Sequence, residues 1–149
     1  MIVRAYFDTS YLAKLHWNEP GSHEVMGVCR DIQTIVCSSH GRVEFVSVGY
    51  RKIREKLADP GLAREVFLQL CDDTEDGGIQ WLNMDDPVLQ RAERFYLDAK
   101  GSFFLRASDA LHLACAAEHG FHEIYSNDQH LLAAAPLFGL KGLNVIPSS

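Results

Sequence analysis

Short apolar runs of strand length alternate with segments of helical periodicity from one end of this chain to the other. Residues 2–7 read as a buried strand, and Thr9 or Ser10 is placed to cap the helix that follows. Residues 22–31 pattern as a short helix and 33–38 as a second strand. Ser38 or Ser39 then opens a long helix. Its apolar positions Val43, Val46, Tyr50, Ile53 and Leu57 fall on one helical face, and Asp59-Pro60-Gly61 is expected to end it. Leu62, Val66, Phe67 and Leu70 mark another helix, and 79–83 a third strand. Pro87 starts a helix whose stripe is Leu89, Ala92, Phe95, Tyr96 and Ala99. A helix over 107–119 ends at Gly120, followed by a strand at 122–126, a helix at 128–135 and a last strand at 142–146. Parallel strands need long crossovers, usually helices. The alternation therefore predicts an α/β fold with a mainly parallel sheet covered on both faces.

The chain has 149 residues, enough for a single domain with a proper core. Apolar residues make up 47% and charged residues 23%, an ordinary globular balance with no membrane span and no visible signal peptide. Cys29, Cys37, Cys71 and Cys115 form no CxxC pair; they read as small packed side chains in a reducing cytoplasm. The net charge of −6 argues against a protein held on nucleic acid by a general basic surface. It leaves room for a nuclease in which bound metal offsets carboxylates and a local basic patch does the rest.

Candidate chemistry centres on Asp8, Glu44, Asp109 and Asp128. Asp8 and Asp128 end apolar runs, and ligands in open parallel sheets bind beyond the carboxyl ends of the strands. Asp109 lies near a helix start, where the macrodipole favours an anion, and Glu44 lies about a turn into its helix. Singly, each has a bland reading as a cap or an exposed helical acid. Together they predict a carboxylate cluster, which is costly unless cations neutralise it. Hard oxygen ligands of this kind suit Mg²⁺ or Mn²⁺.

Phe7-Asp8-Thr9-Ser10-Tyr11-Leu12-Ala13-Lys14-Leu15 resembles the opening motif of PIN-domain ribonucleases. Arg42-Val43-Glu44 resembles their second acidic position. Leu105-Arg106-Ala107-Ser108-Asp109-Ala110-Leu111-His112-Leu113-Ala114 is similar to the third motif, and Ser126-Asn127-Asp128-Gln129-His130-Leu131 to the fourth. The resemblance covers nearly the whole chain in the right order, at the length of a VapC-like toxin. It implies one PIN-like domain over 1–149, a three-layer α/β/α sandwich. It also implies a cytoplasmic Mg²⁺- or Mn²⁺-dependent endoribonuclease that cuts tRNA or rRNA by metal-activated water. Asp8, Glu44, Asp109 and Asp128 would be catalytic metal ligands, supported by Ser10 and Asn127. A cognate antitoxin and a homodimer are the implied partners. Ser108 stands where relatives often carry a larger or apolar residue, and no role is attached to it.

Other residues carry plainer readings. His112, three residues beyond Asp109, could orient an acidic ligand, but packing with a local hydrogen bond is the simpler expectation. His16, His23, His40, His119, His122 and His130 form no metal-ligand pattern. Arg106 could meet phosphate or pair with a carboxylate. Asp72-Asp73-Thr74-Glu75-Asp76-Gly77 resembles a calcium loop but has Asn83 where a bidentate Glu is needed, so it reads as a solvated acidic turn. The apolar stripes at 43–57 and 62–70 could be core, a dimer face or an antitoxin groove. An aspartyl phosphotransferase with Asp8 as nucleophile would want an acid at position 10, where the chain has Ser10. A non-catalytic RNA- or protein-binding module of the same fold is the alternative function; four intact acids and the lack of a broad basic surface speak against it.

Overall fold

The computed structural model describes residues 1–148. Its elements are β1 (Ile2–Tyr6), α1 (Thr9–His16), α2 (Ser22–Cys29), β2 (Ile32–Ser38), α3 (His40–Arg54) and α4 (Pro60–Glu75). They continue as β3 (Ile79–Leu82), α5 (Asp86–Asp98), α6 (Ala107–Glu118), β4 (Glu123–Tyr125), α7 (Gln129–Ala134), a 3₁₀ turn (Ala135–Phe138) and β5 (Lys141–Leu143). All strand pairings are parallel. β1, β2 and β3 form one ladder and β4 and β5 another. A bridge between Phe7 and Tyr125 joins the two, with Asp8 N donating to Tyr125 O at 3.1 Å. No helix among the described residues is long and apolar enough to cross a membrane.

Strand alternation divides the core into two layers. In β1 and just beyond it, Ala5 and Phe7 face one cluster while Tyr6 faces the other. Their β2 neighbours follow the same rule, with Ile35 and Cys37 on the first side and Val36 on the second. Helices α1 to α4 pack on the first side through Tyr11, Leu12, Val25, Phe45 and Leu70. Helices α5 to α7 pack on the second through Val88, Ala92, Leu113 and Leu131. The result is an α/β/α sandwich with a parallel sheet.

Several local expectations need correction. The cap of α1 is Asp8, not Thr9 or Ser10. Leaving β1 in an extended conformation, Asp8 accepts Tyr11 N at 3.0 Å. Asp59-Pro60-Gly61 starts a helix instead of ending one. α3 stops at Arg54, Lys56 takes a left-handed φ of 60°, and Asp59 caps α4 by accepting Leu62 N at 2.8 Å. The acidic stretch 72–75, expected as a solvated turn, is the last turn of α4.

Of the readings open for the apolar stripe of α3, core is excluded, since Val43 is 74% and Tyr50 65% exposed. The buried positions are Gly41, Phe45 and Gly49. Small residues let α3 approach the sheet and α1 closely: a Cβ on Gly41 would lie 2.6 Å from Cys37 Sγ and 3.1 Å from Thr9 Oγ1. Gly41→Ala is therefore expected to destabilise the protein by about 1–3 kcal/mol through overpacking. Gly27→Ala, at an exposed helical position with open space around it, is expected to stabilise it by about 0.5–1 kcal/mol. Thermal unfolding of the two variants checks the contrast, and a Gly41→Ala protein melting at or above wild type would contradict this packing.

Candidate active site

The turn that ends β1 delivers Asp8 to the carboxyl edge of the sheet, where it is 3% exposed. Its Oδ1 accepts Ser10 Oγ at 2.7 Å and Tyr11 N at 3.0 Å, and its Oδ2 accepts Ser126 Oγ at 2.5 Å. Ser126 follows β4, and its Oγ also accepts Asp128 N at 2.9 Å, so one hydroxyl ties the two strand-end aspartates together. Burial pushes the Asp8 carboxyl up, against the pull of His112 and of these hydrogen bonds.

Asp128 caps α7, its Oδ1 accepting His130 N at 2.8 Å and Leu131 N at 3.0 Å. Its Oδ2 lies 3.4 Å from an Arg106 Nη atom, and Arg106 Nε lies 3.4 Å from Asp109 Oδ2. Asp109 sits in the first turn of α6 and is buried. Burial and then the charge of Asp128 push its carboxyl up, while Arg106 acts the other way.

Glu44 is held differently. Oε1 accepts Thr9 Oγ1 at 2.8 Å and His112 Nε2 at 2.6 Å, and Oε2 accepts Ser108 Oγ at 2.5 Å. Burial alone would raise this carboxyl, but the bonds and charge of His112, with Ser108 and Thr9, lower it from 4.5 to about 2. Burial likewise works against the His112 imidazolium, yet the Cys37 sulfur and the Glu44 carboxylate raise it well above 6.5. Burial keeps the Cys37 thiol itself neutral by pushing its pKa up. Glu44 and His112 are thus an ion pair, and the other ring nitrogen of His112 meets Tyr6 Oη at 2.9 Å. His112 orients an acid and is not merely packed, so the simpler expectation for it does not hold.

His40 joins the same cluster. Its Nε2 donates to Ser108 O at 3.1 Å, its Nδ1 accepts Ser38 Oγ at 2.8 Å, and burial and the His112 charge lower its pKa to about 4. Atoms of His40, Glu44 and His112 lie within 4.8 Å of one another. The statement that the histidines form no ligand pattern is therefore too strong for His40. Still, every nitrogen of these two rings already has a hydrogen-bond partner, and His112 carries a proton, so the trio fits a structural lock better than a metal ligand set.

Asp8, Ser10, Glu44, Asp109, Asn127 and Asp128 all line one open cleft of about 560 Å³. Lys14, Arg51 and Arg106 stand on its walls. Asn127 Oδ1 accepts Asn144 Nδ2 at 3.1 Å, and Asn144 Oδ1 accepts Tyr11 Oη at 2.6 Å, which fastens the fourth motif to α1. Thr9, Ser108, Ser126, His40 and Asn144 carry no role at the site in the sequence reading. The hydroxyls of Thr9, Ser108 and Ser126 sit within two residues of an acid, a usable signal; His40 and Asn144 offer none.

The donor set fits a hard divalent cation. The hydrogen-bond partners of Asp8 are neutral, and Arg106 is shared between Asp109 and Asp128. Glu44 already has its counter-charge in His112, leaving Oε2 as its freer oxygen.

The PIN domain family matches residues 5–136. No curated protein matches the chain. Among solved structures, VapC20 of Mycobacterium tuberculosis, described as a Sarcin-Ricin loop cleaving toxin, has a TM-score of 0.69 at 14% identity, covering 87% of this chain and 94% of its own. The VapBC-5 toxin–antitoxin structure of the same organism gives 0.65 at 15% identity, covering 96% and 99%. VapBC2 of Rickettsia felis, bound to a promoter DNA fragment, gives 0.64 at 13%, covering 95% and 98%. At these identities the likeness is one of fold.

The acid limb of stability should carry the Glu44 signature. A carboxyl whose folded pKa is lowered stabilises the fold above its ordinary value of 4.5 and loses that contribution as pH falls toward 2. Asp8 and Asp109, both raised, contribute with the opposite sign in wild type and variant alike. Glu44→Gln should therefore lose about 2 kcal/mol at neutral pH, below the figure for a fully buried pair because Glu44 is 30% exposed, and lose less than wild type as pH falls from 4.5 to about 2. Circular-dichroism unfolding from pH 7 to pH 2 reads both, and parallel acid limbs would refute the ion pair.

Proposed function

The chain belongs to the PIN domain family, and on that footing we propose that it is a metal-dependent endoribonuclease, the toxin of a toxin–antitoxin pair. The observation that carries this is the convergence of four carboxylates from separate motifs in one open cleft, with only part of their charge offset. Asp8, Asp109 and Asp128 would hold Mg²⁺ or Mn²⁺, with Glu44 closing the site through Oε2. A divalent cation there supplies activation of the attacking water and stabilisation of charge developing on the phosphate.

The chain's own residues supply the rest. Ser10, Ser126 and Tyr11 N fix the rotamer of Asp8, and Asn127 is fixed through Asn144. Arg51 and Arg106 meet the RNA backbone, which answers how a chain of net charge −6 binds a polyanion. Arg106 is 67% exposed and holds its two aspartates loosely, so it can turn to a phosphate once they are otherwise neutralised. The substrate class is tRNA or rRNA, and the location is the cytoplasm.

The exposed stripe of α3 suggests the second partner. Trp17, Phe45, Tyr50, Ile53, Ala63 and Phe67 line an apolar groove of about 490 Å³ between α3 and α4. An amphipathic antitoxin helix suits such a groove. A homodimer is proposed from the family resemblance.

The test is mapping of RNA 5′ ends in a bacterium after brief induction of this chain, against an Asp8→Asn control. New ends at a few positions of tRNA or rRNA, absent from the control, are expected. Identical end profiles with both proteins soluble would favour the non-catalytic module.

A further inference from the structure

Outside the acidic cleft, the chain carries an aromatic pair that neither the fold nor the chemistry uses. Phe104 is 66% exposed, and its ring lies 4.8 Å from that of His130, also exposed, at an interplanar angle of 59°. The two rings come from different segments. Phe104 lies in the loop between α5 and α6, and His130 in the first turn of α7. Each is tied by short chain to the acids. Phe104 is two residues before Arg106, a span of at most about 7 Å, and Arg106 contacts Asp109 and Asp128. His130 is two residues beyond Asp128 and donates its backbone N–H to that carboxylate.

A large exposed aromatic costs hydration free energy and here contributes nothing to the core. Tied by short chain to Arg106 and to Asp128, the pair matches the way single-stranded nucleic acid is held, with bases on aromatic faces and cations on the backbone. Exposed cations continue past the pair: Arg94 and Lys100 line the next cavity, beside Phe103. We propose that Phe104 and His130 form a stacking shelf for one unpaired RNA base next to the scissile phosphate, with Arg106 taking the adjoining phosphate. This rests on the nuclease reading and deepens it. The substrate must present an unpaired nucleotide, as in a loop, because a paired base has no free face for the shelf.

The test uses full-length protein carrying Asp8→Asn, so that bound RNA is not turned over, and single-stranded RNA oligonucleotides with 2-aminopurine at successive positions. Quenching at one position, and its loss with about ten-fold weaker binding in Phe104→Ala, is expected. Phe104→Trp should keep both. Quenching at no position, or equal affinity in Phe104→Ala, would overturn the shelf. So would a change of oligomeric size in Phe104→Ala, which would make the ring an interface between copies. Cleavage of the same oligonucleotides by the Asp8-containing protein in Mg²⁺, with and without Phe104→Ala, separates the two readings. No cleavage by wild type counts against the nuclease, whereas cleavage unaffected by Phe104→Ala counts against the shelf alone.

Discussion

Asp8 holds the two halves of the sheet and the cleft together. Its backbone N–H joins the first ladder to the second across Tyr125, and its side chain caps α1 through Tyr11 N. The same carboxylate takes the Ser126 hydroxyl that also holds Asp128 N. A residue that finishes a strand, starts a helix and bridges two ladders cannot move far. The acid that gains most from a fixed position is therefore built into the backbone hydrogen bonding of the fold.

That position has a cost. Burial raises Asp8 and Asp109, and Asp128 adds its repulsion to Asp109. The chain relieves part of this locally, with a loosely held Arg106 over two acids. Glu44 is relieved completely by a buried imidazolium and two hydroxyls. The cleft thus divides into a half whose acid is paired within the chain and a half whose charge is only partly offset. Gly41 makes the closed half possible, since only a bare Cα lets α3 lie close enough for Glu44, Thr9 and His112 to meet.

The layered fold and the four acids were readable from sequence because they rest on local signals, strand-length apolar runs and acids at element ends. The α3 stripe stayed ambiguous because periodicity finds an apolar face without saying whether the partner it packs on belongs to the chain. Gly41 and Gly49 mark the true packing face, and glycines are silent in a hydrophobic pattern. Asp59-Pro60 signals a helix start as well as a break, and the left-handed turn at Lys56 that decides between them has no sequence mark. His112 was undervalued because its partner lies 68 positions away, and such pairings are set by topology and not by spacing. Asn144 escaped for the same reason.

The claim on which everything else stands is that the open half of the cleft is built for a divalent cation. Calorimetric titration of Mn²⁺ into the protein, beside its Asp109→Asn variant, tests it most directly. Saturable binding by wild type that the variant loses, with an accompanying rise in wild-type melting temperature alone, is the expected result. Equal binding by both, or none by a folded wild type, would contradict it.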